Sequence, residues 1–290
     1  MANPMAGEWA LAEEAQNLTR EDYELIRRLV YAKSGINLGE SKVQLVRARL
    51  GKQVRTGGYK SFREYYRHVE EDQSGQMLCQ LLDAISTNTT HLFREIRHFN
   101  LLRDIVTRWA DDRAWRSRHS SLRIWSAACS SGEEPYSIGM TVRDALARHP
   151  GLDIKVLATD LSTRMLSVAK LGLFEAHRVG TVPADLRHRY FRKVVRDGQP
   201  MLQIAPEIRE CVTFSQFNLM TPTFPFRHGF HVIFCRNVMI YFDRATQETL
   251  VNKLAGHLLP GGYLMIGHSE SLNGIRQPLA YIEPTVYRKT

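Results

Sequence analysis

Residues 123–140, RIWSAACSSGEEPYSIGM, pass from an apolar run into a small-residue turn and then into a stripe of helical period. Ile124 and Trp125 favour a strand, and Ala127 to Gly132 keep the turn thin. Pro135 falls in a first helical turn, where its missing N–H costs nothing. Ile138, Val142 and Leu146 recur four apart, which predicts a helix. A second apolar run, IKVLATD at 154–160, ends in an acid. Ser162 then predicts the N-cap of a helix through Met165, Leu166 and Ala169. FHVIFC at 230–235 reads as a buried strand opening into the polar pair Arg236 and Asn237. A helix from about residue 243 carries Leu250, Leu254 and Leu258 on one stripe and is stopped by Pro260, Gly261 and Gly262. GGYLMIGHSE reads as another strand. LAYIEPTVYRKT reads as a late edge strand, antiparallel as one option, with Pro284 at a bulge or margin. Strands alternating with helices predict an open α/β sheet.

The first third differs. Tyr23, Ile26, Leu29 and Val30 form one helical stripe, Phe62, Tyr65 and Tyr66 a second, and Met77, Leu81, Leu82 and Ile85 a third, with turns at Gly35 and at Gly57 and Gly58. SKVQLVRARLGKQVR allows a further helix through Val43, Val46 and Leu50. These patterns predict a small all-α unit over 1–86 and an α/β unit over 87–290, with the boundary inside STNTTHLFRE. Residues 172–210 exceed what a minimal α/β crossover needs. PADLRHRYF there reads as helical, and FRKVV and MLQIA as short strands around the turn pair Asp197 and Gly198, so a small inserted β-subdomain is expected.

Composition is that of an ordinary soluble protein: 290 residues, 43% hydrophobic and 24% charged, enough for two units each with a core. No apolar run approaches 18 residues, and MANPMAGEWALAEEAQ lacks the basic-then-apolar order of a signal peptide, so a cytoplasmic protein without membrane insertion is expected. Cys79, Cys129, Cys211 and Cys235 make no C-x-x-C pair, and the eleven histidines show no H-E-x-x-H spacing, so the sequence implies no metal. The net charge of +9 falls formally in 87–290, because residues 1–86 hold twelve basic and twelve acidic residues. Yet Lys33 to Arg67 holds nine basic residues against Glu40 and Glu64. On a helix, Lys42, Arg49 and Lys52 can share an exposed side that draws an acidic partner; a plain solvated face is the other reading.

The turn after the first strand narrows the ligand. It holds one glycine, Gly132, so it is not the dinucleotide fingerprint, and Glu133 and Glu134 would repel a pyrophosphate. S-adenosylmethionine, with an ammonium and a sulfonium, suits that acidic rim; acids placed for the helix dipole are the alternative. Asp160, about 28 residues after Gly132, suits two ribose hydroxyls, or else it is a turn or capping residue.

These residues resemble the chemotaxis receptor methyltransferases of the CheR type. The resemblance covers almost the whole chain and is carried by STNTTHLFRE at 86–95, WSAACSSGEEPYSIGM at 125–140, LATD at 157–160, FCRNVMIYFD at 234–243 and GHSE at 267–270. It implies a Rossmann-like S-adenosylmethionine-dependent methyltransferase domain behind a helical receptor-docking domain. It further implies methyl transfer from S-adenosylmethionine to glutamates on the cytoplasmic methylation helices of chemoreceptors, with S-adenosylhomocysteine as product and no metal. Carried over residue by residue, Asn88, Thr90 and Arg94 look like cofactor contacts, with Arg94 nearest the reacting centre. Glu134 looks like a contact after the first strand, Asp160 the partner of the ribose, Asn218 with Leu219 the adenine region, and Arg236 with Asn237 the tip of the fourth strand. Tyr241 looks like a lining residue near the methyl group, and Arg49, Lys52 and Arg55 like docking residues. In some members the β-subdomain grips a receptor tether through glycines in its sheet; this hairpin has only Gly198.

Two rival classes are weighed against this. A nucleic-acid methyltransferase is equally basic, but this chain has CRNVMIY where amino-group methylation of bases uses an Asn/Asp-Pro-Pro-aromatic loop, and no cysteine follows a proline. A non-catalytic cofactor sensor or scaffold would keep the fold and lack turnover.

Overall fold

The computed structural model describes residues 17–149 and 151–290; the leading stretch MANPMAGEWALAEEAQ lies outside the described residues. The chain divides into two units. One runs up to Thr87 and takes in Tyr241–Asp243, and the other holds Asn88–Ile240 and Arg244–Thr290.

The first unit is helical. Helix α1 (Arg20–Ser34) starts where the Thr19 hydroxyl accepts the Asp22 N–H and ends at Gly35, whose φ of 72° closes the helix in the left-handed region. Helices α2 (Val43–Thr56), α3 (Phe62–Glu71) and α4 (Gln76–Ile85) follow. Their cores come from the expected stripes: Tyr23, Ile26 and Val30, then Val46 and Leu50, then Phe62 and Tyr65, then Leu81, Leu82 and Ile85 are all buried. Each such side chain contributes about 1.5–3 kcal/mol by leaving water. Leu29, Tyr66 and Met77 are half-buried at the stripe edges. Tyr241–Asp243 joins this unit through Asn37 N–H, which donates to the Tyr241 carbonyl at 2.8 Å, and through the Tyr31 hydroxyl, which donates to Asp243 at 2.6 Å.

The basic stripe differs from expectation at one position. Lys42 and Lys52 are exposed, but Arg49 is half-buried, its guanidinium donating to the carbonyls of Ile85 at 2.6 Å and Ser86 at 3.0 Å. It caps the carboxyl end of α4, where the helix leaves acceptors unsatisfied and a cation is favoured. Lys52 and Arg55 remain exposed.

The second unit begins with α5 (Ile96–Asp111) and α6 (Arg113–Arg118), then alternates: β1 (Ser121–Ala127), α7 (Glu133–Ala145), β2 (Asp153–Asp160) and α8 (Thr163–Leu171). The insertion holds β3 (Leu173–Phe174), α9 (Ala184–Tyr190), β4 (Phe191–Arg196) and β5 (Gln199–Ile204). After α10 (Pro206–Arg209) come β6 (Val212–Gln216), β7 (Phe230–Cys235), α11 (Arg244–His257), β8 (Leu258–Ile266), β9 (Leu279–Glu283) and β10 (Val286–Lys289). The main sheet has the order β6-β2-β1-β7-β8-β10-β9, parallel from β6 to β8 and antiparallel beyond. The chain moves outward from β1 through β2 to β6, then returns to β7. That reversal opens a crevice at the carboxyl ends of β1 and β7, where ligands bind in open α/β sheets.

Two sequence expectations are corrected here. The helix from residue 244 ends at His257; Leu258 already pairs with Phe230 as the first residue of β8, and Pro260-Gly261-Gly262 lies inside that strand next to a register shift. A bulge absorbs a proline and two glycines that would stop a helix. The closing segment is two strands rather than one: Pro284 and Thr285 turn β9 back, and β10 inserts between β8 and β9. In the insertion, β4 and β5 pair antiparallel around Asp197 and Gly198, with φ of 49° and 74°, and β3 adds a third strand that two residues did not announce. No helix among the described residues is long and apolar enough to cross a membrane.

Candidate active site

The turn after β1 is tighter than its single glycine suggests. Ala128 and Ser130 adopt φ of 67° and 49°, and Gly132 follows at 94°. A Cβ on Gly132 would lie 2.9 Å from that of Ala169, so glycine lets α7 start against α8. This winding aims the Ser130 N–H at Asp160 Oδ2, 2.8 Å away, while Asp160 Oδ1 accepts the Ser162 N–H at 2.9 Å. The Asp160 carboxylate thus ties the ends of β1 and β2.

The two acids at the start of α7 are already neutralised. Glu133, 1% exposed, pairs with Arg178 and accepts from the Ser131 hydroxyl at 2.7 Å. Glu134 accepts from the Ser126 hydroxyl at 2.7 Å and from Arg236 Nη1 at 2.9 Å. Burial pushes the Glu134 carboxyl up, with Arg236 pulling the other way.

Arg236, at the tip of β7, is the hub. Its side chain is 1% exposed and bridges Glu134 Oε2 at 2.9 Å and Glu95 Oε2 at 2.8 Å, while Nη2 also donates to the Arg94 carbonyl at 2.5 Å. The guanidinium lies 5.7 Å from the Phe99 ring centroid. Burial opposes the Glu95 carboxylate, but Arg236 and the His268 N–H outweigh it and hold its pKa below the usual range. The arginine therefore acts through the loops it joins, and its Nε is a buried donor without a partner among the described residues.

Asn237 adopts φ of 57°, and the loop beyond it is held by a residue that sequence reasoning missed. Glu270 accepts four backbone N–H groups, from Asn237 at 3.0 Å, Val238 at 2.9 Å, Met239 at 2.7 Å and Gly267 at 2.6 Å. Burial raises its pKa, while backbone N–H groups, those of Gly267, Asn237 and Met239 among them, favour the ion. Glu95 was missed too: it sits beside Arg94 in the sequence but pairs with Arg236. Their signals were the acids of the FRE and GHSE motifs, but Arg236 and the Asn237–Met239 loop, which they hold, lie more than thirty residues away.

The remaining candidates fall as follows. Arg94 is half-buried, donates from Nη1 to the Thr89 carbonyl at 2.8 Å, and has no acidic partner among the described residues. The Asn88 carbonyl accepts the Ser130 hydroxyl at 3.3 Å, which lays 88–90 over the turn, and Thr90 is half-buried in that segment. Phe217 N–H donates to the Asp160 carbonyl at 3.0 Å, bringing Asn218 and Leu219 to the end of β2. Asn218 Oδ1 accepts the Met220 N–H at 2.9 Å, and Leu219 is buried with its carbonyl held by Lys253 Nζ at 2.8 Å. Tyr241 falls in the helical unit.

This donor set fits an adenosyl amino acid carrying positive charge. Arg94 offers a carboxylate a cation with no acidic partner among the described residues, Asp160 sets a carboxylate at the end of β2 where hydroxyls can meet it, and the turn between them presents backbone instead of a phosphate cradle. Fold and site together define an S-adenosylmethionine-dependent methyltransferase. Family models described as "CheR methyltransferase, SAM binding domain" and "CheR methyltransferase, all-alpha domain" match residues 88–288 and 21–86. The chain belongs to the CheR methyltransferase family. It is 38% identical to a chemotaxis protein methyltransferase of Borreliella burgdorferi, covering 94% of this chain and 95% of that one. It is also 38% identical to chemotaxis protein methyltransferase 2 of Pseudomonas aeruginosa, covering 93% of each. With a chemotaxis protein methyltransferase of Salmonella typhimurium the identity is 34%, over 96% of this chain and 93% of the relative.

Proposed function

We propose that this protein methylates glutamate side chains of chemoreceptors, giving glutamyl methyl esters and S-adenosylhomocysteine, in the cytoplasm. The observation that carries the reading is Arg94, an arginine at the crevice with no acidic partner among the described residues. When bound, S-adenosylmethionine supplies an electrophilic methyl group on a sulfonium.

The protein's own residues hold and shield. Arg94 takes the cofactor's carboxylate, Asp160 its ribose hydroxyls, and Asn218 with Leu219 border the adenine. Asn88 and Thr90 cover it, and Glu134, Arg236 and Asn237 keep the crevice in shape, the last two through the β7 loop. Tyr241 is proposed to meet the substrate near the methyl group, where an aromatic face favours a cation. A glutamate with an ordinary pKa of about 4.3 is almost wholly ionised at neutral pH, so no general base or Lewis acid is required. What remains is to place the carboxylate in line and strip its water.

The helical unit over 1–86 is proposed to dock the acidic methylation helices through Lys52 and Arg55, with the unit over 87–290 performing the transfer. Arg49, in this reading, supports the docking face by capping α4. Nucleic acid is not a partner in this reading.

The test incubates the purified protein with methyl-tritiated S-adenosylmethionine and a receptor cytoplasmic fragment carrying Glu or Gln at its methylation positions. Label released as methanol by mild base from the Glu fragment alone supports the reading. Equal label on both fragments, or none, overturns it.

A further inference from the structure

We propose that Glu95, His98 and His268 form a binding site for a divalent first-row transition ion of the zinc type. The proposal stands apart from the methylation reading and does not depend on it. The sequence offers no motif for it, since Glu95 and His98 are three apart at the start of α5 while His268 follows β8. Folding brings the Glu95 carboxylate, His98 Nδ1 and His268 Nε2 within 4.8 Å of one another.

The argument rests on one nitrogen. The Thr285 hydroxyl lies 2.5 Å from the Pro284 carbonyl, to which it can donate, and 2.7 Å from His98 Nε2. With that donation made, Nε2 carries the proton and Nδ1 of the neutral ring presents a lone pair, the tautomer the proposal adopts. That Nδ1 is buried, has no hydrogen-bond partner among the described residues, and faces Glu95 Oε2 at 3.5 Å. A lone pair set against a carboxylate oxygen in a dry interior is repulsive, and a shared cation removes the conflict.

The surroundings are those of a metal site. His98 is 2% exposed and its outer nitrogen is fixed by Thr285, as the second nitrogen of a ligating histidine usually is. Glu95 is oriented by the His268 N–H at 3.2 Å and by Asn237 Nδ2 at 3.4 Å. Arg236 serves both Glu95 and Glu134, so one guanidinium is shared between two carboxylates. His268 Nε2 lies 3.7 Å from Glu95 Oε2 on a side chain that is 52% exposed, so this ring can close on an ion that reaches it from solvent. Donors around one ion at about 2.0–2.2 Å stand roughly 3–3.6 Å apart; the two spacings to Glu95, 3.5 and 3.7 Å, are close to this, and closing the two imidazoles, within 4.8 Å, falls to the exposed His268 ring. Two imidazoles and a carboxylate select zinc, cobalt or nickel over magnesium or calcium, which take oxygen.

The test titrates metal-free, untagged full-length protein with Co²⁺ and then Zn²⁺. One equivalent of Co²⁺ giving visible ligand-field bands that Zn²⁺ abolishes supports the site, provided His268→Ala weakens uptake at least tenfold. His98→Ala should do the same; because His98 is buried, His268→Ala decides the matter should that variant fail to fold. Uptake unchanged in His268→Ala, a cobalt–thiolate charge-transfer band, or no uptake overturns the proposal.

Discussion

Arg236 and Glu134 meet at 2.9 Å across the crevice between β7 and α7, joining the end of one central strand to the helix that follows the other. Both partners lie away from water, and Glu95 completes the bridge from the opposite side at 2.8 Å. Removing the arginine leaves two carboxylates uncompensated. Arg236→Ala is expected to lower stability by about 3–5 kcal/mol, seen as a shift of the urea midpoint. A loss below about 1 kcal/mol would mean that the bridge does not hold the two strands.

Arg94 gives the opposite expectation. Its side chain makes one hydrogen bond, to the Thr89 carbonyl. Arg94→Ala should change stability by less than about 1 kcal/mol. Methyl transfer should be abolished, and calorimetry should show greatly weakened cofactor binding. Wild-type turnover in this variant would remove Arg94 from the site.

The basic positions of α2 separate by what they touch. Lys52→Glu with Arg55→Glu changes exposed charge only, so receptor methylation should fall while cofactor affinity holds. Arg49→Ala should instead destabilise the helical unit by roughly 1–2 kcal/mol, because carbonyls at the end of α4 lose their donor. Proportional loss of cofactor affinity and receptor methylation in the double reversal would dismiss the docking face.

Glu270→Gln replaces an acceptor of four N–H groups with an amide that turns its own donors toward two of them. A stability loss of about 1–3 kcal/mol is expected, with a raised KM for the cofactor, since the Asn237–Met239 loop loses its anchor. Unchanged KM beside a stability loss would confine Glu270 to a scaffolding role.

Burial pushes His231 down to about 3, against about 6.5 in an unfolded chain. Below pH 6.5 the unfolded chain takes up a proton that the folded ring refuses. Stability is thus complete near pH 7 and drains away on acidification by up to about 1.4 kcal/mol per pH unit, down to about pH 3. His231→Asn, whose amide oxygen can replace Nδ1 as acceptor of the Arg123 N–H, should flatten the change in urea midpoint between pH 7 and pH 5. Identical slopes in both proteins would refute the assignment.

Much of this protein was legible along the chain because the signals are local. Period-four stripes, the Ser162 cap, the Asp197-Gly198 turn and the apolar runs of β1, β2 and β7 each depend on residues within a few positions of one another. The misreadings share a cause as well: Pro260-Gly261-Gly262 stops a helix by local rules, but pairing with β7 carries a bulged strand through it.

The amino-acid sequence by itself determined the alternation of elements, the thin turn before α7, the acid closing β2 and the family. Only the tertiary structure decided what charged side chains do. Arg49 leaves the basic face to cap α4, Arg236 turns inward to Glu95 and Glu134, and Glu270 gathers four N–H groups. The physical reason is that helix and strand propensity act over a few bonds, whereas a charge finds its partner through space.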